Sequence, residues 1–138
     1  MKFLLDTNVL SEAAKSSADS QVLNKIEKHQ SDIVTAAPVW HEMQYGCFRL
    51  PVSKKRTIID KFLNEVVLPN IPILPYDKPA ANWHAIQRAR LVAMGKTPSF
   101  VDGQIAAIAT VNNFCLITRN ISDFTSFQGL KVKNWHKA

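Results

Sequence analysis

Phe3-Leu4-Leu5-Asp6-Thr7-Asn8-Val9-Leu10, taken with Ile33-Val34-Thr35-Ala36-Ala37-Pro38, decides the architecture. Phe3 to Leu5 form a short apolar run without helical period, and Asp6-Thr7-Asn8 are residue types that end strands and cap helices. The first stretch therefore predicts a strand running into a helix. In the second, Ile33-Val34-Thr35 is β-branched and Pro38 suits a first helical turn, which repeats the strand-to-helix step. Between them, Ser20 to His29 reads as helical.

Further along, Val39 to Leu50 is helical by composition and Pro51 interrupts it. Ile58, Ile59, Phe62, Leu63 and Val66 then fall at amphipathic helical spacing. Ile71-Pro72-Ile73-Leu74 predicts a short strand at a sheet edge, because proline cannot donate to a ladder. Asp77 caps a helix to about Met94, stopped by Gly95. Pro98 starts another, with Ile105, Ala106, Ile108 and Ala109 as its buried stripe. Phe114 to Thr118 fits a fully buried parallel strand, and a weak last strand lies around Leu130 to Val132. Strands separated by helices imply an α/β fold with a parallel sheet of four to five strands covered by helices. Ligands in such folds gather at the carboxyl ends of the strands.

The length of 138 residues fits one domain over residues 1–138, and no repeat or long linker divides it. Hydrophobic residues at 46% and charged residues at 20% are those of a globular chain, not of a disordered tail. The longest charge-free stretch, Gly103 to Thr118, is broken by Gln104, Asn112 and Asn113, so no membrane span is expected. Phe3 to Leu5 are too few for a signal-peptide core, and the expectation is a cytoplasmic protein. Cys47 and Cys115 read as free buried thiols.

Four acids fall where the sheet edge is expected. Asp6 follows the first strand, Glu42 lies on the helix after the second on the face of Val39, Tyr45 and Gly46, Asp102 sits in the first turn of its helix above Ile105, Ala106 and Ala109, and Asp123 follows the buried strand. Singly, each has an ordinary reading: a helix cap, a surface glutamate, a dipole partner, a turn former. Jointly they form one acidic cluster. Two like charges at 4 Å cost about 4 kcal/mol at an effective dielectric of 20, so such a cluster calls for a cation. All-oxygen donors suit Mg²⁺ or Mn²⁺ and argue against zinc, and the histidines at 29, 41, 84 and 136 show no metal-ligand spacing. A hard divalent ion in an acidic cleft serves phosphodiester hydrolysis.

The charge balance agrees. There are 17 Lys and Arg against 11 Asp and Glu, a net charge of +6; with four acids committed to metal, the rest of the molecule is strongly basic, as nucleic-acid partners require. Lys54-Lys55-Arg56, Arg88, Arg90, Arg119, Lys131 and Lys133 are candidate phosphate contacts.

With these residues on the page, the chain resembles the PIN-domain ribonucleases, in particular the VapC toxins of type II toxin-antitoxin modules. Leu4-Leu5-Asp6-Thr7-Asn8-Val9-Leu10, Trp40-His41-Glu42-Met43-Gln44-Tyr45-Gly46 and Asp102-Gly103-Gln104-Ile105-Ala106-Ala107 match the family's motifs in order and spacing across nearly the whole chain. The resemblance implies a Rossmann-like sheet and a metal-dependent endoribonuclease acting on structured RNA such as tRNA or rRNA. It also implies a homodimer held inactive by a cognate VapB-like antitoxin, through which alone DNA would be contacted. By position, Asp6, Glu42 and Asp102 would be the metal-site carboxylates. Many relatives place an acid where this chain has Asn120, so either Asp123 completes the site or Asn120 gives a neutral oxygen. Thr7 and Asn8 would orient the site by hydrogen bonding. The resemblance departs from two other phosphoryl-transfer classes. A haloacid-dehalogenase-type phosphatase needs an acid where Asn8 stands, and a receiver domain needs its acceptor aspartate where Pro75-Tyr76-Asp77 reads as a helix cap. The rival from another class is a non-catalytic partner in an operator-binding complex.

Overall fold

A computed structural model describes residues 2–136. Five parallel strands form one sheet in the order β3-β2-β1-β4-β5. The strands are β1 (Phe3–Leu5), β2 (Ile33–Ala36), β3 (Ile73–Leu74), β4 (Cys115–Ile117) and β5 (Lys131–Lys133). The expected α/β architecture is present, and the proline-marked strand lies at an edge, shortened to Ile73–Leu74. Pro72 still contributes, its carbonyl accepting from Thr35 N at 2.9 Å.

Parallel neighbours need crossover connections, and helices supply them. Two join β1 to β2: α1 (Thr7–Leu10) and α2 (Ser20–Lys28). Between β2 and β3 come α3 (Ala37–Phe48), with Pro38 in its first turn, α4 (Lys54–Lys61) and α5 (Leu68–Asn70). Between β3 and β4 come α6 (Lys78–Ala93) and α7 (Phe100–Val111). Asp77 caps α6 by accepting from Ala80 N at 3.1 Å, and Gly95 takes a positive φ of 74° beyond its end.

Two sequence expectations are corrected. A wide π-helical segment, Phe62–Val67, joins α4 to α5 and places Leu63 and Val67 in the core while Val66 faces solvent; Ile58, on α4 before it, is exposed as well. Spacing at 3.6 residues per turn had assigned Val66 inward, and the extra residue in a π turn shifts the buried position. The last long helix starts at Phe100, not Pro98, because the Ser99 hydroxyl accepts from Asp102 N at 3.3 Å and caps it.

The core centres on β1 and β4, whose residues are almost wholly buried. From β1 the chain builds outward on one side to β2 and β3, then crosses back to lay β4 on the other side. That reversal makes the carboxyl ends of β1 and β4 the topological switch point, where open α/β sheets bind ligands. The register pairs Leu5 with Ile117, and Asp6 N donates to Ile117 O at 2.9 Å. Asp6 and Thr118, the next residues on each strand, are thereby forced together. Among the described residues no helix is long and apolar enough to cross a membrane, and Cys47 and Cys115 are buried free thiols.

Candidate active site

Asp6 is 7% exposed. Its Oδ1 accepts from Thr7 N at 2.8 Å and its Oδ2 from Thr118 Oγ1 at 2.8 Å. A plain N-cap accepts from the second or third helical amide. Here the carboxylate takes the first amide and turns its other oxygen across to β4, which a capping role alone does not account for. Burial raises the Asp6 proton affinity above the usual carboxylate range, Thr118 and Thr7 oppose that, and the Asp123 charge adds to it.

Thr118 is the site residue the sequence reading passed over. Its hydroxyl also accepts from Asn120 N at 3.1 Å and Asn8 Nδ2 at 3.4 Å, while Asn8 Oδ1 accepts from Arg119 N at 3.0 Å. Of the two residues expected to orient the site, Thr7 touches Asp6 and Glu42 directly, whereas Asn8 reaches Asp6 only through Thr118. Thr7 Oγ1 donates to Glu42 Oε2 at 3.1 Å and links α1 to α3.

Glu42 corrects one expectation. The buried stripe of α3 is Pro38, Val39, Met43 and Cys47, whereas Tyr45 is 60% exposed and Glu42 stands on the exposed side of the helix. The glutamate is drawn to Asp6 through Thr7, not by an apolar stripe. Partial desolvation of its carboxyl end raises its proton affinity, Thr7 opposes this, the Asp6 charge raises it further, and His41 lowers it.

Asp102 is half-buried at the start of α7, beside the buried Gly103 and above Ile105 and Ala106. Its carboxyl is pushed up to about 6, first by burial and then by the charges of Asp6, Asp123 and Glu42. A helix N-terminus favours an anion, so the upward shift runs against the local dipole. Asp123 is exposed in a short turn, Ile121–Asp123, close enough for its charge to act on both Asp6 and Asp102. Asn120 is exposed next to Thr118.

The four predicted carboxylates therefore share one electrostatic neighbourhood at the switch point. As placed, no three His, Cys, Asp or Glu side chains among the described residues converge tightly enough to clasp an ion. The donor chemistry fits a hard divalent cation all the same: carboxylate oxygens in mutual repulsion, with the proton affinity of Asp6, Glu42 and Asp102 raised, are what such an ion relieves.

The basic candidates divide. Arg90 is committed to Gln87 Oε1 at 2.8 Å and Ser126 O at 2.6 Å, and Arg56 to Leu50 O at 3.2 Å, so both serve the fold. Arg88, Arg119, Lys131 and Lys133 are exposed. Lys54 and Lys55 line a cleft of about 730 Å³ together with Lys15, Met43, Ile58 and Ile59; it contains none of the four carboxylates.

A PIN-domain family model matches residues 3–128. The chain belongs to the PIN-domain family. A VapC ribonuclease of Sinorhizobium fredii is 34% identical, covering 98% of this chain and 99% of its own. A tRNA(fMet)-specific endonuclease VapC of Shigella flexneri is 26% identical, covering 98% of each chain. Among solved structures, VapBC2 of Rickettsia felis bound to a promoter DNA fragment superposes with a TM-score of 0.84 at 27% identity, covering 98% of this chain and 99% of the other. The match spans all three motif regions of this PIN domain and every described strand except β5.

Proposed function

We propose that this PIN domain is the toxin of a VapBC-type module, an endoribonuclease that uses Mg²⁺ or Mn²⁺ to hydrolyse phosphodiester bonds in structured RNA such as tRNA or rRNA. The observation that carries the reading is the gathering of carboxylates at the switch point, Asp6 fixed by Thr118, Glu42 by Thr7, and Asp102 and Asp123 near enough that their charges repel. A chain evolved only to bind a partner has no use for that repulsion, which lowers its stability. A nuclease does.

Asp6, Glu42 and Asp102 would hold the ion, with Asp123 or the Asn120 oxygen completing the site. Bound there, a divalent cation neutralises phosphate charge and lowers the proton affinity of water. The remaining work falls to the chain. Thr118 and the Thr7 amide fix both oxygens of Asp6, and Thr7 Oγ1 holds Glu42 against α1. Asn8 ties the Arg119 amide and Thr118 to the same loop, which fixes the backbone leaving β4 next to Asp6. Such outer partners typically set metal affinity and activity by 10- to 100-fold.

A cognate VapB-like antitoxin would hold the enzyme inactive, and the protein would work as a homodimer. The cleft of about 730 Å³ is lined by Ala14, Met43, Ile58 and Ile59 together with Lys15, Lys54 and Lys55, a mix of apolar and basic groups that suits an acidic amphipathic segment. Induction in growing cells without antitoxin tests the reading. The wild-type chain is expected to arrest growth and Asp6→Asn is not; equal arrest by both would remove the nuclease from the account.

A further inference from the structure

Phe100 opens α7 two residues before Asp102, and it is 50% exposed. Its ring is held firmly on one side. His84 of α6 packs against it with ring centroids 4.8 Å apart, and the Arg88 guanidinium, one turn along α6, lies 5.3 Å from the Phe100 centroid. His84 is in turn fixed by Tyr76 Oη at 2.7 Å from Nδ1. Arg88 is exposed, and no carboxylate among the described residues pairs with it.

An exposed phenylalanine often marks a protein contact, but apolar area is not the main feature here. Lys96, Thr97 and Ser99 precede the ring, all exposed and polar, and Arg88 stands over it. A half-exposed ring backed from α6 by His84 and by an unpaired guanidinium over it matches one chemistry well: a nucleobase stacked on the ring's remaining surface with its phosphate near the cation. Phe100 and Asp102 share the first turn of α7 but leave it on different faces, so the ring lies about one nucleotide's span from the carboxylates and not against them.

We propose that Phe100 and Arg88 form a base-stacking subsite for a nucleotide adjoining the cleaved phosphate, the ring serving as platform and the guanidinium holding the backbone. This rests on the ribonuclease reading and adds to it the contact by which single-stranded RNA is gripped. Because every base has a π face, the subsite grips without selecting sequence strongly. It raises affinity for unpaired nucleotides over paired ones.

The test compares binding of a short labelled oligoriboadenylate with binding of an abasic ribose-phosphate oligomer of equal length. Stacking of one base is expected to give the wild-type protein about a 5- to 100-fold preference for the adenylate. Phe100→Ala should bind both oligomers at the abasic level, with unchanged circular dichroism. Phe100→Trp should keep the preference, and the emission it adds to that of the native tryptophans should be quenched by the adenylate alone. Arg88→Gln should weaken both oligomers alike and flatten the salt dependence. An undiminished preference in Phe100→Ala would overturn the subsite. So would a fall in sedimentation coefficient on that substitution, which would assign the ring to a contact between copies. Cleavage of cellular RNA by the same wild-type preparation judges the ribonuclease reading separately: cleavage without a Phe100 effect leaves that reading intact and removes only the subsite.

Discussion

Asp102→Asn is expected to lower ribonuclease activity by roughly 10²- to 10³-fold, the scale on which loss of one preorganised charge-stabilising group acts, while making the metal-free protein more stable. The two effects share a cause. Asp102 is surrounded by the charges of Asp6, Asp123 and Glu42, and burial together with those charges holds its carboxyl at about 6. The unfolded chain releases that proton at the ordinary, lower pKa of an aspartate. Below the unfolded value both states are protonated and Asp102 costs nothing. As pH rises through the window from about 4 to about 6, the unfolded state ionises first, so stability falls, and above that window the penalty is complete.

The asparagine keeps the shape and removes the charge. In EDTA its melting temperature should exceed that of the wild type at neutral pH, and the gap should close as pH falls below about 6. Thermal melts across this range check the sign. A variant less stable than the wild type at neutral pH would show that the carboxylates do not repel as placed.

The second large effect is structural. Gly103→Ala is expected to destabilise the fold by about 1–3 kcal/mol, the usual cost of overpacking a filled core, or roughly 4–10 °C in melting temperature. The Nε2 edge of the His84 ring abuts Gly103: a β-carbon there would stand 2.6 Å from Cδ2 and nearer still to Nε2. The ring has nowhere to go, since His84 is 1% exposed, bonded to Tyr76 and packed against Phe100. Burial lowers its proton affinity and the neighbouring Arg88 adds to that. Because α6 would be levered away from the turn that carries Asp102, activity should fall with stability. A double-mutant cycle isolates the cause: in a His84→Ala background the same glycine substitution should cost little. An equal cost with and without the ring would place the constraint elsewhere.

Where sequence reading succeeded and failed follows from what each signal encodes. Strand-to-helix steps at Leu5-Asp6 and Ala36-Ala37-Pro38 are local, and composition alone carried them. Pro72 marked an edge because the missing amide is intrinsic to the residue. The π segment at Phe62–Val67 was illegible, since Ile58, Ile59, Phe62, Leu63 and Val66 satisfy a regular helical period and nothing local announces an inserted residue. Glu42 reads from spacing as sharing a face with Val39, Tyr45 and Gly46, yet Tyr45 faces solvent with the Arg49 guanidinium 5.7 Å from its ring centroid. Thr118 was missed for a deeper reason. Its hydroxyl matters only because β1 and β4 pair with Leu5 opposite Ile117, and register between strands more than 100 residues apart is not written in either one. Its position just after a buried strand, at the same edge as Asp6, was the one available signal. The carboxylates are legible only as a set: each alone reads as a helix cap, a dipole partner or a turn former, and it is their placement at one sheet edge that sets like charges near one another.

The central claim is tested most directly by incubating purified, antitoxin-free protein with total tRNA in Mg²⁺ or Mn²⁺ and in EDTA, with Asp102→Asn in parallel. The account predicts discrete fragments that appear only with metal and only with Asp102 intact. Cleavage of equal extent in EDTA, or by Asp102→Asn in Mg²⁺, would contradict it.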